Sequence, residues 1–389
     1  MIKILHVLPA IAPRYGGPST AIRSLCDAQS RQENIEIEVV ATDADGASGI
    51  FNPKGFIDCC PVHLLPRTAS EQWKYSRGLG VWLRENVARF DLVHIHALWS
   101  YASGAAARAA RKAGVPYILR PAGMLSTYAF QHHGLKKRLY WQWVERQTVL
   151  HSAGFHATST GESLDISRVR RDAKVFVIPN GVDKAAWDSP RQPDELRRRC
   201  NINSPDIPIV LFLSRLHPKK GVTDLLIPGF AMLKRAAHLA IAGGVDEHDP
   251  GYEKEVEIAI QQFKIGNRTT LLGPVSGPDR WGIFDGAACF ILPSHSENFG
   301  IVVAEAMSRK CAVIVTDQVQ CCEHVQAACA GITISRSAEA VAAALDHVLE
   351  SPASCKSMGL NGAKYASEKF AWSGVADQVL GMYQSIIGM

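Results

Sequence analysis

Cys289-Phe-Ile-Leu-Pro-Ser-His-Ser-Glu-Asn-Phe-Gly-Ile-Val-Val-Ala-Glu305 holds a complete change of secondary structure within one short stretch. Cys289 to Leu292 is an apolar run of strand length that stops at Pro293. A polar loop follows, and Gly300 opens a second apolar run that suits a helix. Strand, loop and helix in that order form the repeating unit of a parallel sheet covered by helices. Glu297 falls in the loop and Glu305 inside the helix, so the two carboxylates do not share one helix face. The backbone N–H groups from Phe299 through Gly300 and Ile301 to Val302 point out of the helix start, where unpaired donors and the macrodipole favour an anion such as a phosphate.

The same alternation extends in both directions. Around this unit, strand-like runs occur at 209–214, 237–242, 269–272, 312–316 and 331–334. An earlier series occupies 3–8, 36–41, 92–96, 117–120, 154–157 and 174–178, with helix-like stretches such as 19–30 and 103–113 between them. Two doubly wound α/β units are therefore expected. The boundary falls near Pro179-Asn180-Gly181-Val182-Asp183, where a strand stops at a proline and an Asn-Gly turn, followed by a Pro-rich charged stretch to Pro208. The domains read from this are 1–187, 188–369, and a final helix, 370–389, returning to the first domain. Ligands of such sheets sit at the carboxyl ends of the strands, so a cleft between two facing sheets is expected to hold the chemistry.

Length and composition agree with that architecture. A chain of 389 residues is two to three times the usual domain size, and with 47% hydrophobic and 20% charged residues it has the make-up of a globular enzyme. No apolar run approaches the roughly 20 residues of a membrane crossing. The N-terminal run Met1 to Pro9 reads as a first strand rather than a leader, so a cytoplasmic protein is expected. Ten cysteines, including the adjacent pairs Cys59-Cys60 and Cys321-Cys322, match neither a disulfide framework nor zinc spacing. The net charge of +5 is carried by the first half, where 23 Lys and Arg face 15 Asp and Glu before Asp188. That half should meet an anionic partner.

Loops after strands supply the remaining candidates. Val210-Leu-Phe-Leu-Ser-Arg215-Leu-His-Pro-Lys-Lys220-Gly221 ends a buried strand in Arg215 and brings Lys220 to a Gly-terminated loop. A planar guanidinium fork and a point-charge ammonium at one strand edge suit a diphosphate without a metal ion. In the first half, Gly16 and Gly17 follow the first strand and allow close backbone approach by a ligand, while no dinucleotide or P-loop signature occurs. His94 and His96 project to one face of a strand; without a third ligand they make a poor metal site, and His96 is either an acceptor contact or a structural histidine. Gly134 to Arg146 mixes Lys136, Lys137 and Arg138 with Tyr140, Trp141 and Trp143, as an interfacial helix at an anionic membrane would, although a packed helix with solvated cations reads equally well. Nothing joins the basic residues to a nucleic-acid reading motif.

Taken in order, these residues resemble the retaining family-4 glycosyltransferases of GT-B architecture. The resemblance rests on Pro293-Ser-x-Ser-Glu297-Asn298-Phe299-Gly300 with Glu305-Ala-Met307, on Ser214-Arg215-x-x-x-Lys219-Lys220-Gly221, on Ile178-Pro-Asn-Gly-Val-Asp183, on Leu271-Leu-Gly-Pro-Val275, on Gly16-Gly17-Pro18 and on Phe370-Ala-Trp372. It covers nearly the whole chain. It implies that Arg215 and Lys220 hold the donor diphosphate, that Glu305 binds the ribose, and that Glu297 with the amides of Asn298, Phe299 and Gly300 holds the donor sugar. It places Val275 near the base and the glycine loop beside the donor phosphate and the acceptor. It further implies a hexose transferred from a nucleotide diphosphate sugar, UDP-glucose ahead of GDP-mannose, to a glycan or lipid-linked sugar, with no cofactor or metal. Asp43-Ala-Asp45 has the form of a metal-binding element but lies in the wrong half and reads as a loop. Two departures stand out. Ala122 occupies a position where many relatives have His or Arg, a group Arg120 would have to replace. The turn Arg309-Lys310-Cys311-Ala312-Val313 stands where relatives usually have a Gly and a Pro, which should alter loop geometry more than chemistry. The first departure keeps open a sugar-nucleotide-binding protein without transfer activity; a phosphorylase or an epimerase of the same architecture is the other alternative.

Overall fold

The structure is a computed structural model that describes residues 1–46, 49–131, 139–246, 249–275, 277 and 279–388. The chain forms two compact units, one of Met1–Gly181 with Trp372–Met389, the other of Val182–Ala371. The short segments 182–187 and 370–371 thus lie in the second unit, where the sequence-based borders at 188 and 370 had them outside it. Val182 explains this: its N–H donates to the Phe370 carbonyl at 2.8 Å, and Val182 bridges Ala371 in parallel.

Unit 1 is built on β1 (Ile2–Ala10), β2 (Ile35–Thr42), β3 (Ala44–Asp45), β4 (Gly49–Ile50), β5 (Val62–Leu65), β6 (Leu92–His96), β7 (Tyr117–Arg120), β8 (Gly154–Ala157) and β9 (Val175–Val177). Seven of these make one parallel sheet in the order β5-β2-β1-β6-β7-β8-β9, and β3 pairs with β4. Ile4, Leu5 and Val7 of β1 are fully buried, as expected of a strand covered on both faces. Alternation sends Leu5 and Val7 into a core with Leu79, Leu83 and the alanines of helix Tyr101–Ala113. Ile4 and Leu8 go to the other face, with Ile22, Leu25, Val375, Val379 and Tyr383. Helix Trp372–Ile387 therefore completes the first unit's second layer.

Unit 2 repeats the plan with β10 (Ile209–Leu213), β11 (His238–Ala242), β12 (Thr269–Gly273), β13 (Cys289–Leu292), β14 (Ala312–Thr316) and β15 (Gly331–Ile334), in the parallel order β12-β11-β10-β13-β14-β15. In each sheet the chain starts in the middle, builds to one side, then returns to build the other. The order reverses between β1 and β6 in unit 1 and between β10 and β13 in unit 2. At such a point the helices leave in opposite directions and open a crevice at the strands' carboxyl ends. Arg215 follows β10 and Glu297 follows β13, the two strands flanking that point in unit 2.

Two features departed from the sequence reading. The edge strand β5 and the β3–β4 pair were not expected. Val62-His-Leu-Leu is short and half-buried, with a weak apolar signal behind Pro61. Ala44 and Asp45, read as a loop, pair with Ile50 and Gly49.

Candidate functional site

In unit 2 the exits of β10 and β13 are tied together by backbone. After β10, Pro218–Lys220 forms a short turn closed by Gly221 in the left-handed region at φ +69°. A Cβ at Gly221 would lie 2.3 Å from the Pro293 carbonyl oxygen, so only glycine lets the two loops pack. The His295 N–H donates to the Lys219 carbonyl at 2.8 Å, and the His295 ring meets Asp224 at 2.7 Å. Glu297 is held from the β14 side, its N–H donating to Gln318 and its carbonyl accepting from Gln320. Gly221→Ala should therefore lower the melting temperature, because left-handed strain of about 1–2 kcal/mol adds to the clash. A thermal melt checks this; an unchanged melting temperature would show that the two loops part without cost.

On this frame the charged groups pair. Lys220 Nζ donates to Glu297, with the two side chains 12% and 22% exposed. Burial pulls the Glu297 carboxyl up, but Lys220, followed by Lys219 and Arg215, overcomes it and holds the group below its ordinary value. Arg215 is 70% exposed and donates to the buried Asp246 at 2.7 Å. Glu305 lies in helix Ile301–Ser308, 2% exposed, and accepts from Arg280. There burial prevails and the carboxyl is pushed up despite Arg280.

Gly300 caps that helix at φ +77°, and the amides of Ile301 and Val302 have no carbonyl one turn back. The Phe299 side chain is core, its ring against Phe370 and His324, so only its backbone faces the loop. Val275 follows β12 and packs half-buried against the core. Unit 2 thus brings Arg215, Lys220, Glu297, Glu305 and the helix start to one sheet edge. Asp246 and Arg280, which pair with two of them, carry no motif that a sequence reading would single out.

In unit 1, Gly16 has φ +72° and ψ −133°, a combination that suits glycine, and a Cβ there would touch nothing within 4 Å. Gly17 and Pro18 occupy the first turn of helix Gly17–Gln29. His96 and Arg120 turn inward instead. Arg120 donates to Asn180 and, at 3.4 Å, to His96 Nδ1. A guanidinium only donates, so neutral His96 must carry its proton on Nε2 and pass it towards His6 Nδ1 at 2.9 Å. His6 then donates to Gln29 at 2.9 Å, Gln29 to the Tyr383 hydroxyl at 3.2 Å, and Tyr383 to His94 Nδ1 at 2.9 Å. Burial, with Arg120 nearby, lowers His6 to about 4 and pushes His94 and His96 well down, keeping the chain neutral.

His6 is a third imidazole the sequence reading did not count. The register His6↔His94 brings it alongside, and one ring nitrogen from each of His6, His94 and His96 lies within 4.8 Å of the other two. Because both nitrogens of His6 and of His96 are already committed, the arrangement favours the structural reading of His96. Arg120 is likewise engaged and does not reach out to replace a side chain at Ala122, which itself sits at φ +53°. The next residue, Gly123, donates to the buried Glu162 at 2.6 Å.

Of the segment read as interfacial, residues 134–138, with Lys136, Lys137 and Arg138, lie outside the described residues; Leu139, Trp143 and Arg146 beyond them are exposed. Among the described residues no helix is long and apolar enough to cross a membrane.

Comparison with known proteins gives two adjoining family matches. Residues 194–365 match the model for glycosyl transferases group 1, and residues 16–181 match the glycosyl transferase 4-like domain. The chain is 26% identical over 264 residues to alpha-maltose-1-phosphate synthase of Mycobacterium tuberculosis (strain ATCC 25618 / H37Rv), covering 63% of this chain and 66% of that protein, slightly under two thirds of its length. In three dimensions it resembles sucrose-phosphate synthase from Thermosynechococcus elongatus (TM-score 0.77, 19% identity, 100% of both chains). It also resembles HepE from Anabaena, solved in complex with UDP-glucose (TM-score 0.76, 20% identity, 99% of this chain and 100% of that one).

Proposed function

Since the chain belongs to the family-4 glycosyltransferases of GT-B architecture, whose members typically retain the anomeric configuration, we propose that it moves a hexose from UDP-glucose to a hydroxyl of a glycan or lipid-linked sugar. The observation that carries this reading is the Lys220–Glu297 pair at the unit 2 switch point, beside the start of helix Ile301–Ser308. HepE, solved with UDP-glucose, supports the choice of donor.

The chemistry follows from what each group offers. An ammonium has three donors. Lys220 can keep one on Glu297 and turn the others to the diphosphate, where Arg215 adds an exposed guanidinium fork. As the bond to the anomeric carbon breaks, negative charge grows on that diphosphate, and fixed cations with helix N–H groups stabilise it most when it is fully developed. Glu297 spends one carboxylate oxygen on Lys220; the other is left to accept from hydroxyls of the hexose. Glu305 accepts from the ribose. The acceptor would meet unit 1 beside Gly16 and Gly17, with retention arising when the acceptor attacks the face the nucleotide leaves and a donor phosphate oxygen takes its proton. The family generally performs this transfer without a metal ion, and the cations here suit that role. The exposed Leu139 and Trp143 suit a peripheral contact with an anionic membrane at the cytoplasmic face.

Glu297→Gln should separate sugar from nucleotide. Calorimetry is expected to show UDP-glucose affinity falling at least tenfold while UDP affinity changes by less than threefold. Equal losses for both ligands would sink the sugar assignment. Release of glucose to water or to a panel of acceptors, measured with labelled UDP-glucose, tests the transfer step.

A further inference from the structure

We propose that Arg280 is a positioning residue of the nucleotide site, keeping Glu305 ionised and aimed so that its carboxylate accepts a pair of ribose hydroxyls. This rests on the reading of Glu305 given above and adds to it a residue that no motif marks.

The geometry begins with a buried acid. Glu305 comes from the second turn of helix Ile301–Ser308, where every other side chain is uncharged. A carboxylate this deep would take up a proton unless a counter-charge faced it. Arg280 supplies that charge from another element, helix Asp279–Asp285, which follows β12 on the same sheet edge. Among the described residues, Asp183 is the other charge acting on Glu305, and it opposes ionisation. The Arg309 guanidinium, though near in sequence, turns to Asp285.

Arg280 is itself held in place. Its guanidinium lies 5.0 Å from the centre of the Trp281 ring, and its Nε is buried with no partner among the described residues. The outer nitrogen is therefore the one that meets Glu305. The side chain is 28% exposed, so the pair borders solvent where a nucleotide would arrive.

A ribose diol presents two donors and is best matched by two acceptor oxygens. A protonated carboxyl offers a worse match because one oxygen then donates. Binding thus needs the ionised form and weakens as pH falls through the pKa of Glu305. Burial has already pushed that pKa up, and removing Arg280 pushes it further in the same direction. The loss of affinity should then move from acid towards neutral pH.

The test is a calorimetric titration of the full chain with UDP from about pH 5.5 to about pH 8.5. Wild type, Arg280→Met, Arg280→Lys and Glu305→Gln are compared, each against wild type at the same pH to cancel the titration of UDP itself. Arg280→Met should bind at least tenfold more weakly than wild type at the acid end and recover most of that loss at the alkaline end. Arg280→Lys should stay within about threefold throughout. Glu305→Gln should be weak with no such recovery. If Arg280→Met does not fold, Arg280→Gln takes its place. A neutral variant that tracks wild type at every pH overturns the proposal, as does one equally weak at every pH, which would mean a direct contact with the nucleotide. Glu305→Gln binding UDP like wild type would instead overturn the ribose reading beneath it.

Discussion

Lys220→Ala is expected to lower kcat/KM for the sugar nucleotide at least tenfold, about 1.4 kcal/mol of transition-state stabilisation, and by more than Arg215→Ala does. Two losses combine in this variant. On the proposed reading, the leaving diphosphate loses a cation set in a partly enclosed loop, where charge is less screened than in water. Glu297 also loses its counter-ion. Burial is the largest influence on that carboxyl and acts upward, so without Lys220 its pKa rises and the variant should fail further as pH falls. Arg215, by contrast, is mostly exposed and shares its guanidinium with Asp246. Its removal should matter less, and its contribution should fade as salt is raised. Steady-state kinetics of both variants at two pH values and two ionic strengths read all of these effects. Unchanged kinetics in both would remove the diphosphate assignment.

The parts of this site that were legible in sequence share a physical cause. Arg215, Lys220 and Glu297 stand just after strongly apolar strands, and a parallel sheet carries such residues to its carboxyl edge whatever the distant packing. The strands themselves were equally plain because burial on both faces leaves unbroken apolar runs, as in Ile209–Leu213. What stayed hidden depended on which strands are neighbours. His6 joins His94 and His96 only through the β1–β6 register, and that contact, with Arg120, turns His96 inward. Arg280 reaches Glu305 because the helix after β12 starts on the same edge as the helix after β13, a pairing no local spacing announces. Phe299 was read for its amide, and its ring proved to be core because the C-terminal Phe370 lies against it. The edge strand β5 was missed for the opposite reason: half-buried on both sides, it has neither the apolar run nor the alternation that marks a strand.

Arg309, at the start of a turn that departs from the family pattern, has a structural role, and the expected result for Asp285→Ala follows from it. Arg309 opens the stretch 309–313, in which relatives usually have a Gly and a Pro, and the sequence suggested only altered loop geometry. In the structure its guanidinium is 2% exposed, donates to Asp285 at 2.9 and 2.5 Å, and donates to the carbonyls of Ala186 and Ser189, both at 2.9 Å. It thereby ties the chain entering unit 2 to the end of helix Ile301–Ser308, where a cation is also favoured by the helix dipole. Asp285 holds this together. Its side chain is fully buried, accepts from the Gln192 N–H at 2.8 Å, and faces a second guanidinium, Arg191, at 3.0 Å. Asp285→Ala removes the one carboxylate between two arginines and leaves the Arg309 charge enclosed, so a loss of about 3–5 kcal/mol is expected. Arg309→Ala should lose less, because Arg191 still neutralises Asp285 and the freed carbonyls can be reached by water. Arg309→Lys should recover little, since a single ammonium cannot reach the carboxylate and both carbonyls as a planar fork does. Denaturant unfolding of the three variants gives the order directly. If Asp285→Ala were no less stable than Arg309→Ala, the buried charge would not be what the carboxylate is there to balance, and the departure in the stretch 309–313 would reduce to the loop change the sequence suggested.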